Sequence, residues 1–193
     1  NAFALKHNIT ITDSESELNK KFKISNEVFD YHTVLYLLFF KVNFTDMTLA
    51  KSIEAKDMVA IQQNANTLIQ YADEGLEKIK KISSYNNDSS LIAATKKALE
   101  YYKKEAEVYA PKVTAFLMFN DKFENAKKTI ESKSQKDRTN EEINNFNEMV
   151  KQINKEIGNY NTSSNSNFQE NTTTVNNWNS VADNFISKHV PAD

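Results

Sequence analysis

The side chains able to ligate a metal or move a proton near neutral pH are few and scattered. His7, His32 and His189 lie far apart in sequence. No Glu-x-x-His pair is present, although a di-iron carboxylate bundle needs two of them on facing helices. No His-Glu-x-x-His zinc pattern is present either. His32 follows Asp30 and Tyr31. Consecutive helical residues do not share a face, so it reads as a boundary histidine. Met47, Met58, Met118 and Met149 could pair with a histidine across a haem iron, but no such pair falls at one level. Glu105/Glu107 and Glu141/Glu142 read as solvated carboxylates on helix surfaces. Gly75 and Gly158 are the only glycines, too far apart for a phosphate loop, a dinucleotide fingerprint or a nucleophile elbow. Cysteine is absent, which removes disulfides, thiolate nucleophiles, zinc-thiolate sites and iron–sulfur clusters. The reading is therefore of no enzyme, no metal and no cofactor. What remains is a neutral hydrogen-bonding set: Tyr102, Tyr109, Asn64, Ser164, Asn167 and Asn171. Such groups suit ligand binding.

The elements that would gather this set are helices. Gly and Pro number two each in 193 residues, too few for the tight turns of sandwiches and barrels. Apolar residues recur at helical spacing in four segments. The first runs through Ile24, Val28, Tyr31, Leu35, Leu38, Val42 and Leu49, widened by Phe29, Tyr36 and Phe39. A stripe that broad implies a helix buried on much of its circumference. A turn is expected over 48–56. The second segment is Met58, Ile61, Ala65, Leu68, Ala72, Ile79 and Ile82, with Gly75 allowing close approach of a neighbour. Tyr85 to Ser90 is the clearest turn, with Asn87 or Asp88 as N-cap.

The third segment extends from Ile92 to Ile130 and contains Pro111, which predicts a kink over 107–111. Thr139 and Glu142 form a capping box that opens the fourth. Its apolar phase persists from Ile143 to Phe185 across the Asn/Ser/Thr-rich stretch 161–174. These residues are mediocre helix formers, but the preserved phase favours one continuous helix, with Trp178 in the core. Ser14 or Ser25 is the expected start of the first helix.

The expected fold is all-α: an antiparallel up-down four-helix bundle over 16–190, preceded by an extended N-terminal arm over 1–15. Its third and fourth helices are long, and the third is kinked at Pro111. Reversal near 136 sets Pro111 opposite about Tyr160. Reversal near 86 sets 104–111 level with 61–68. The kink, the Gln/Asn-rich turn of the second helix and the 161–174 stretch then meet at one level, with Tyr102 and Tyr109 pointing into it. That layer reads as a satisfied tyrosine–amide network or an outward-facing polar side, or else as a mid-bundle cleft for a small molecule. Beyond it, about 118–133 and 138–153 are expected to project as a two-helix hairpin.

Lys plus Arg is 24 and Asp plus Glu is 26, a net charge of −2, and each half of the chain carries −1. No concentrated basic footprint for nucleic acid exists. Arg138 is the lone arginine, so bidentate clamping of phosphates or carboxylates is poorly equipped. The longest apolar run, Val34–Phe40, is seven residues; a membrane-crossing helix needs about 20.

The stretch AATKKALEYYKKEAEVYAPKV (93–113), the segment 140–190 and the closing Ala182–His189 resemble a family of bacterial surface-exposed helical-bundle proteins, often lipoproteins, that has no assigned activity. The resemblance spans about 25–190. It implies a four-helix bundle, export across the inner membrane, and an N-terminal lipid anchor lying upstream of Asn1. It supplies no catalytic residues. The expected function is that of a non-enzymatic extracytoplasmic surface or binding protein with a protein or small-molecule partner; the alternative is a small-molecule binder using the mid-bundle cleft.

Overall fold

The computed structural model describes residues 6–7 and 16–192. The expected arm over 1–15 lies outside the described residues, Lys6 and His7 apart. The described residues form an all-helical bundle. Helix α1 spans Glu17–Glu54, α2 Met58–Ile79, α3 Ser90–Lys104, α4 Ala110–Glu131 and α5 Asn140–His189. A π-helical turn, Glu105–Tyr109, joins α3 to α4 without a break, so the chain makes four rods.

Helix ends follow local side-chain chemistry. Ser16, rather than Ser14 or Ser25, caps α1 by accepting from the Asn19 backbone N–H at 3.2 Å. Asp57 caps α2 after a turn in which Lys56 has φ 55°. Before α3, Asn86 and Asn87 take left-handed φ of 47° and 62°. Asn is among the few non-glycine residues that visit that region readily. The Asp88 carboxylate then accepts from the Ser90 N–H. The Thr139/Glu142 capping box opens α5 as its spacing required. α5 runs unbroken through 161–174.

Pro111 explains the π-helical turn. Proline offers no N–H and its ring crowds the carbonyl four residues back. The structure meets it with one wider turn, in which the Ala110 N–H donates to the Glu105 carbonyl, and Pro111 then sits in the first turn of α4. Wide turns of this kind re-aim side chains and recur at functional sites.

Named contacts fix which stretches meet. Lys41 meets Glu74, and Asn64 meets Ser52. Between α2 and α3, Lys103 meets Asp73, and Gly75 lets Leu99 approach so closely that an added Cβ would lie 2.9 Å from its methyls. Along α3, α4 and α5, Trp178 meets Thr95, Lys104 meets Glu170, Phe116 meets Tyr160 and Phe123 meets Phe146. The buried core runs from Val28 and Leu91 to Val113 and Leu117. From Met118 to Gln152 no residue is buried. That end is held by the Phe123–Phe146 ring contact at 5.7 Å and the Lys133–Glu142 ion pair.

One expectation for α1 fails. Phe29, 46% exposed, does not widen its buried stripe, and Tyr36, 38% exposed, reaches it only at Trp178, with ring centroids 5.8 Å apart. The helix carries two apolar faces, and the bundle covers one.

Candidate functional site: a groove over a buried carboxyl pair

The π-helical turn and α5 enclose a polar cluster centred on two carboxyl groups. Glu105 is 5% exposed, which corrects its reading as a solvated surface residue. Its Oε1 accepts from the Asn167 amide. Asp46, reaching in from α1, accepts from the Asn171 amide at 2.8 Å. The two carboxyl groups belong to one cluster and are near enough for each to shift the other. Two buried negative charges that close repel strongly. Burial and the neighbouring Asp46 push Glu105 up to about 8. Burial also raises Asp46, against hydrogen bonds from Glu105 and Asn171 that hold it down. Near neutral pH, Glu105 therefore keeps its proton. Glu105 Oε2 is buried and has no hydrogen-bond partner.

Tyrosines complete the cluster. The Tyr101 hydroxyl donates to Asn167 at 3.3–3.4 Å, either to its backbone carbonyl or to its side-chain oxygen. Burial, followed by the two carboxyls, raises Tyr101 and Tyr102 above the usual phenol range. The Tyr102 hydroxyl is fully buried and makes no hydrogen bond of good geometry. One turn further along, the Tyr109 hydroxyl lies 3.3 Å from Ser164 Oγ, and burial raises it too.

Outside this cluster the seam between α4 and α5 opens into a groove of about 860 Å³. Tyr101, Glu105 and Asn167 lie at its inner end, and Val108, Tyr109, Phe116, Phe119 and Tyr160 supply apolar wall. Lys104, Lys112, Glu156 and Glu170 edge it, with Lys104 paired to Glu170 at 2.8 Å. The volume falls in the range of small-molecule sites.

Of the six residues expected at this level, Tyr102, Asn167 and Asn171 join the carboxyl cluster, and Tyr109 with Ser164 lies beside it. Asn64 does not. Its amide donates to Ser52 Oγ at 2.8 Å, tying α2 to α1. Its helix presents that face to α1, so equal level did not mean a shared site. The sequence reading missed Asp46 and Glu105, although both carry a signal. Asp46 falls seven residues after Phe39, four after Val42 and three before Leu49, on the buried stripe. Glu105 falls three after Tyr102 and four before Tyr109. A charge in phase with an apolar stripe is either an error of phase or a buried, paired group.

Among the described residues, no group of three or more His, Cys, Asp or Glu is placed to hold a metal ion. Among the described residues, no helix is long and apolar enough to cross a membrane. The fold and site define an all-helical bundle with a lateral groove set beside the cluster that holds Glu105 and Asp46. No family model, curated protein or solved structure matches the chain.

Proposed function

We propose that the chain is a non-enzymatic binding module whose groove takes a small, elongated amphipathic molecule. The observation that carries this reading is the groove itself. It has an aromatic wall of Tyr109, Phe116, Phe119 and Tyr160 and an inner end of hydrogen-bonding groups. The wall would hold a flat or flexible apolar body. Tyr101 and Asn167 would orient a polar end, and Lys104 and Lys112 would meet groups left at the rim.

The reading rests on an antiparallel up-down arrangement of the four rods, bent at Glu105–Pro111. The paired contacts support it: as residue numbers rise along one rod, the partners' numbers fall, from Thr95–Trp178 through Lys104–Glu170 to Phe116–Tyr160. The wide turn before Pro111 supports the bend. An extracytoplasmic location is part of the proposal and rests on the resemblance over 25–190; fractionation of cells producing the protein tests it.

A thermal-shift screen of small amphipathic molecules tests the groove. A ligand at 100 times its Kd adds about 2.7 kcal/mol, or about 5–10 °C for a chain of this length. Ala115 is exposed on the groove's edge, so Ala115→Trp fills the groove without entering the core. The expected result is hits whose shift disappears in Ala115→Trp. Shifts that survive that substitution, or a screen without hits, overturn the reading.

A further inference from the structure

The second apolar face of α1 is independent of the groove. Phe22, Phe29, Tyr36, Phe40, Phe44 and Met47 are between 38% and 59% exposed. At about 100° per residue they lie roughly opposite the buried stripe of Val28, Leu35, Val42 and Leu49. Their rings form a ladder, with Tyr36–Phe40 at 5.7 Å and Phe40–Phe44 at 6.0 Å. Filled in by Asn26, Thr33 and Asn43, the positions read 22, 26, 29, 33, 36, 40, 43, 47. Steps of four and three alternate throughout. That is the seam of a coiled coil, about 38 Å long at 1.5 Å per residue.

We propose that this face pairs with the same face of a second copy of the chain, α1 against α1 in opposite directions, about a two-fold axis between Val34 and Leu35. Opposite pairing about that point sets Phe22 against Met47, Asn26 against Asn43, Phe29 against Phe40 and Thr33 against Tyr36. Large rings meet smaller or flexible side chains in two of these layers, and the two amides meet each other. Parallel pairing instead sets Phe22, Phe29, Tyr36 and Phe40 each against its own copy and leaves Thr33 facing Thr33. It crowds four layers and leaves a gap in a fifth.

The area is adequate. Six half-exposed side chains of about 200 Å² each offer about 600 Å², and Leu37 beside them about 100 Å² more. Two copies then bury about 1,400 Å², within the range of stable specific interfaces. A lipid surface fits less well. Helices that lie on membranes carry Lys- and Arg-rich flanks, whereas the charges bordering this stripe include both Lys23 and Asp30.

Sedimentation of the full chain over about 1–100 µM tests the pairing. The expected result is a dimer that Phe40→Glu weakens by at least about 100-fold, as loss of a central aromatic anchor does, with helicity unchanged. The chain has no cysteine, so the register can be read directly and without touching the apolar layers. Under oxidation, a mixture of Asn26→Cys and Asn43→Cys chains should cross-link, while neither variant alone does. A chain that is monomeric throughout overturns the proposal, as does cross-linking of Asn26→Cys to itself. Flotation with anionic vesicles by a monomeric chain, abolished by Phe40→Glu, overturns it in favour of a membrane. A monomer whose melting temperature drops in Phe40→Glu overturns it in favour of cover from elsewhere in the same chain.

Discussion

Two buried polar layers lie between α3 and α5, about two turns apart, and they are built on opposite terms. In the first, the Trp178 indole donates to Thr95 Oγ1 at 3.0 Å, and Thr95 donates onward to the Leu91 carbonyl at 2.8 Å. Phe39 stacks on the indole at 4.4 Å. Every polar atom has a complementary neutral partner, and the seam is closed. In the second, Glu105 and Asp46 bring two acceptors together, and the Tyr102 hydroxyl goes unpaired. A proton has to be held there to make the layer self-consistent, and the groove opens beside it. Neutral donor–acceptor chains rigidify a core, whereas a surplus of acceptors makes a layer conditional on pH and accessible to a ligand.

Removing the anchor of the closed layer should have the largest effect. Trp178→Ala deletes a buried aromatic and is expected to cost about 3–5 kcal/mol in denaturant unfolding. A cost under about 1 kcal/mol would mean that the layer is not the tight one.

The open layer should respond to pH. The ordinary glutamate value is 4.5, and Glu105 is held at about 8. A raised acid binds its proton more tightly in the folded state. Its contribution is therefore fully present below about pH 4.5, declines as pH rises and is gone above about 8. Glu105→Gln keeps an acceptor for Asn167 and cannot ionise. At pH 9 it should melt about 4 °C above the wild-type chain, a gain of about 1–2 kcal/mol. Its melting temperature should also change less between pH 5 and pH 9. Parallel pH profiles would show that Glu105 is not held at a raised value.

The smallest effects make the sharpest contrast, because one hydrogen-bonding atom is deleted from each layer. Thr95→Val removes the hydroxyl that accepts from the indole, at nearly constant volume, and should cost about 1–2 kcal/mol. Tyr102→Phe removes a hydroxyl without one and should be neutral, or stabilising by up to about 1 kcal/mol. Equal costs would erase the distinction between the layers.

The two layers also differ in how far they could be read in advance. Trp178 and Thr95 sit in phase with apolar neighbours, and burial of Trp178 follows from that alone. The level-matching that brought Tyr102, Asn167 and Asn171 together depends only on helix rise and on where the chain reverses, and those three do meet. The same arithmetic failed for Asn64, because level along a bundle says nothing about which neighbour a helix face is turned toward. In the sequence Glu105 reads as a solvated carboxylate, because its type points to water more strongly than its position points to burial.

Alone, the sequence determined the rods, the capping box that opens α5 and the continuity of α5 through 161–174. These depend on period, local hydrogen bonding and a phase that short-range order carries along the chain. Tertiary structure decided the rest: which groups Asp46 would face, and which of the two greasy faces of α1 the bundle would leave uncovered. Both outcomes depend on residues distant in sequence arriving at the same place, and no local pattern encodes that.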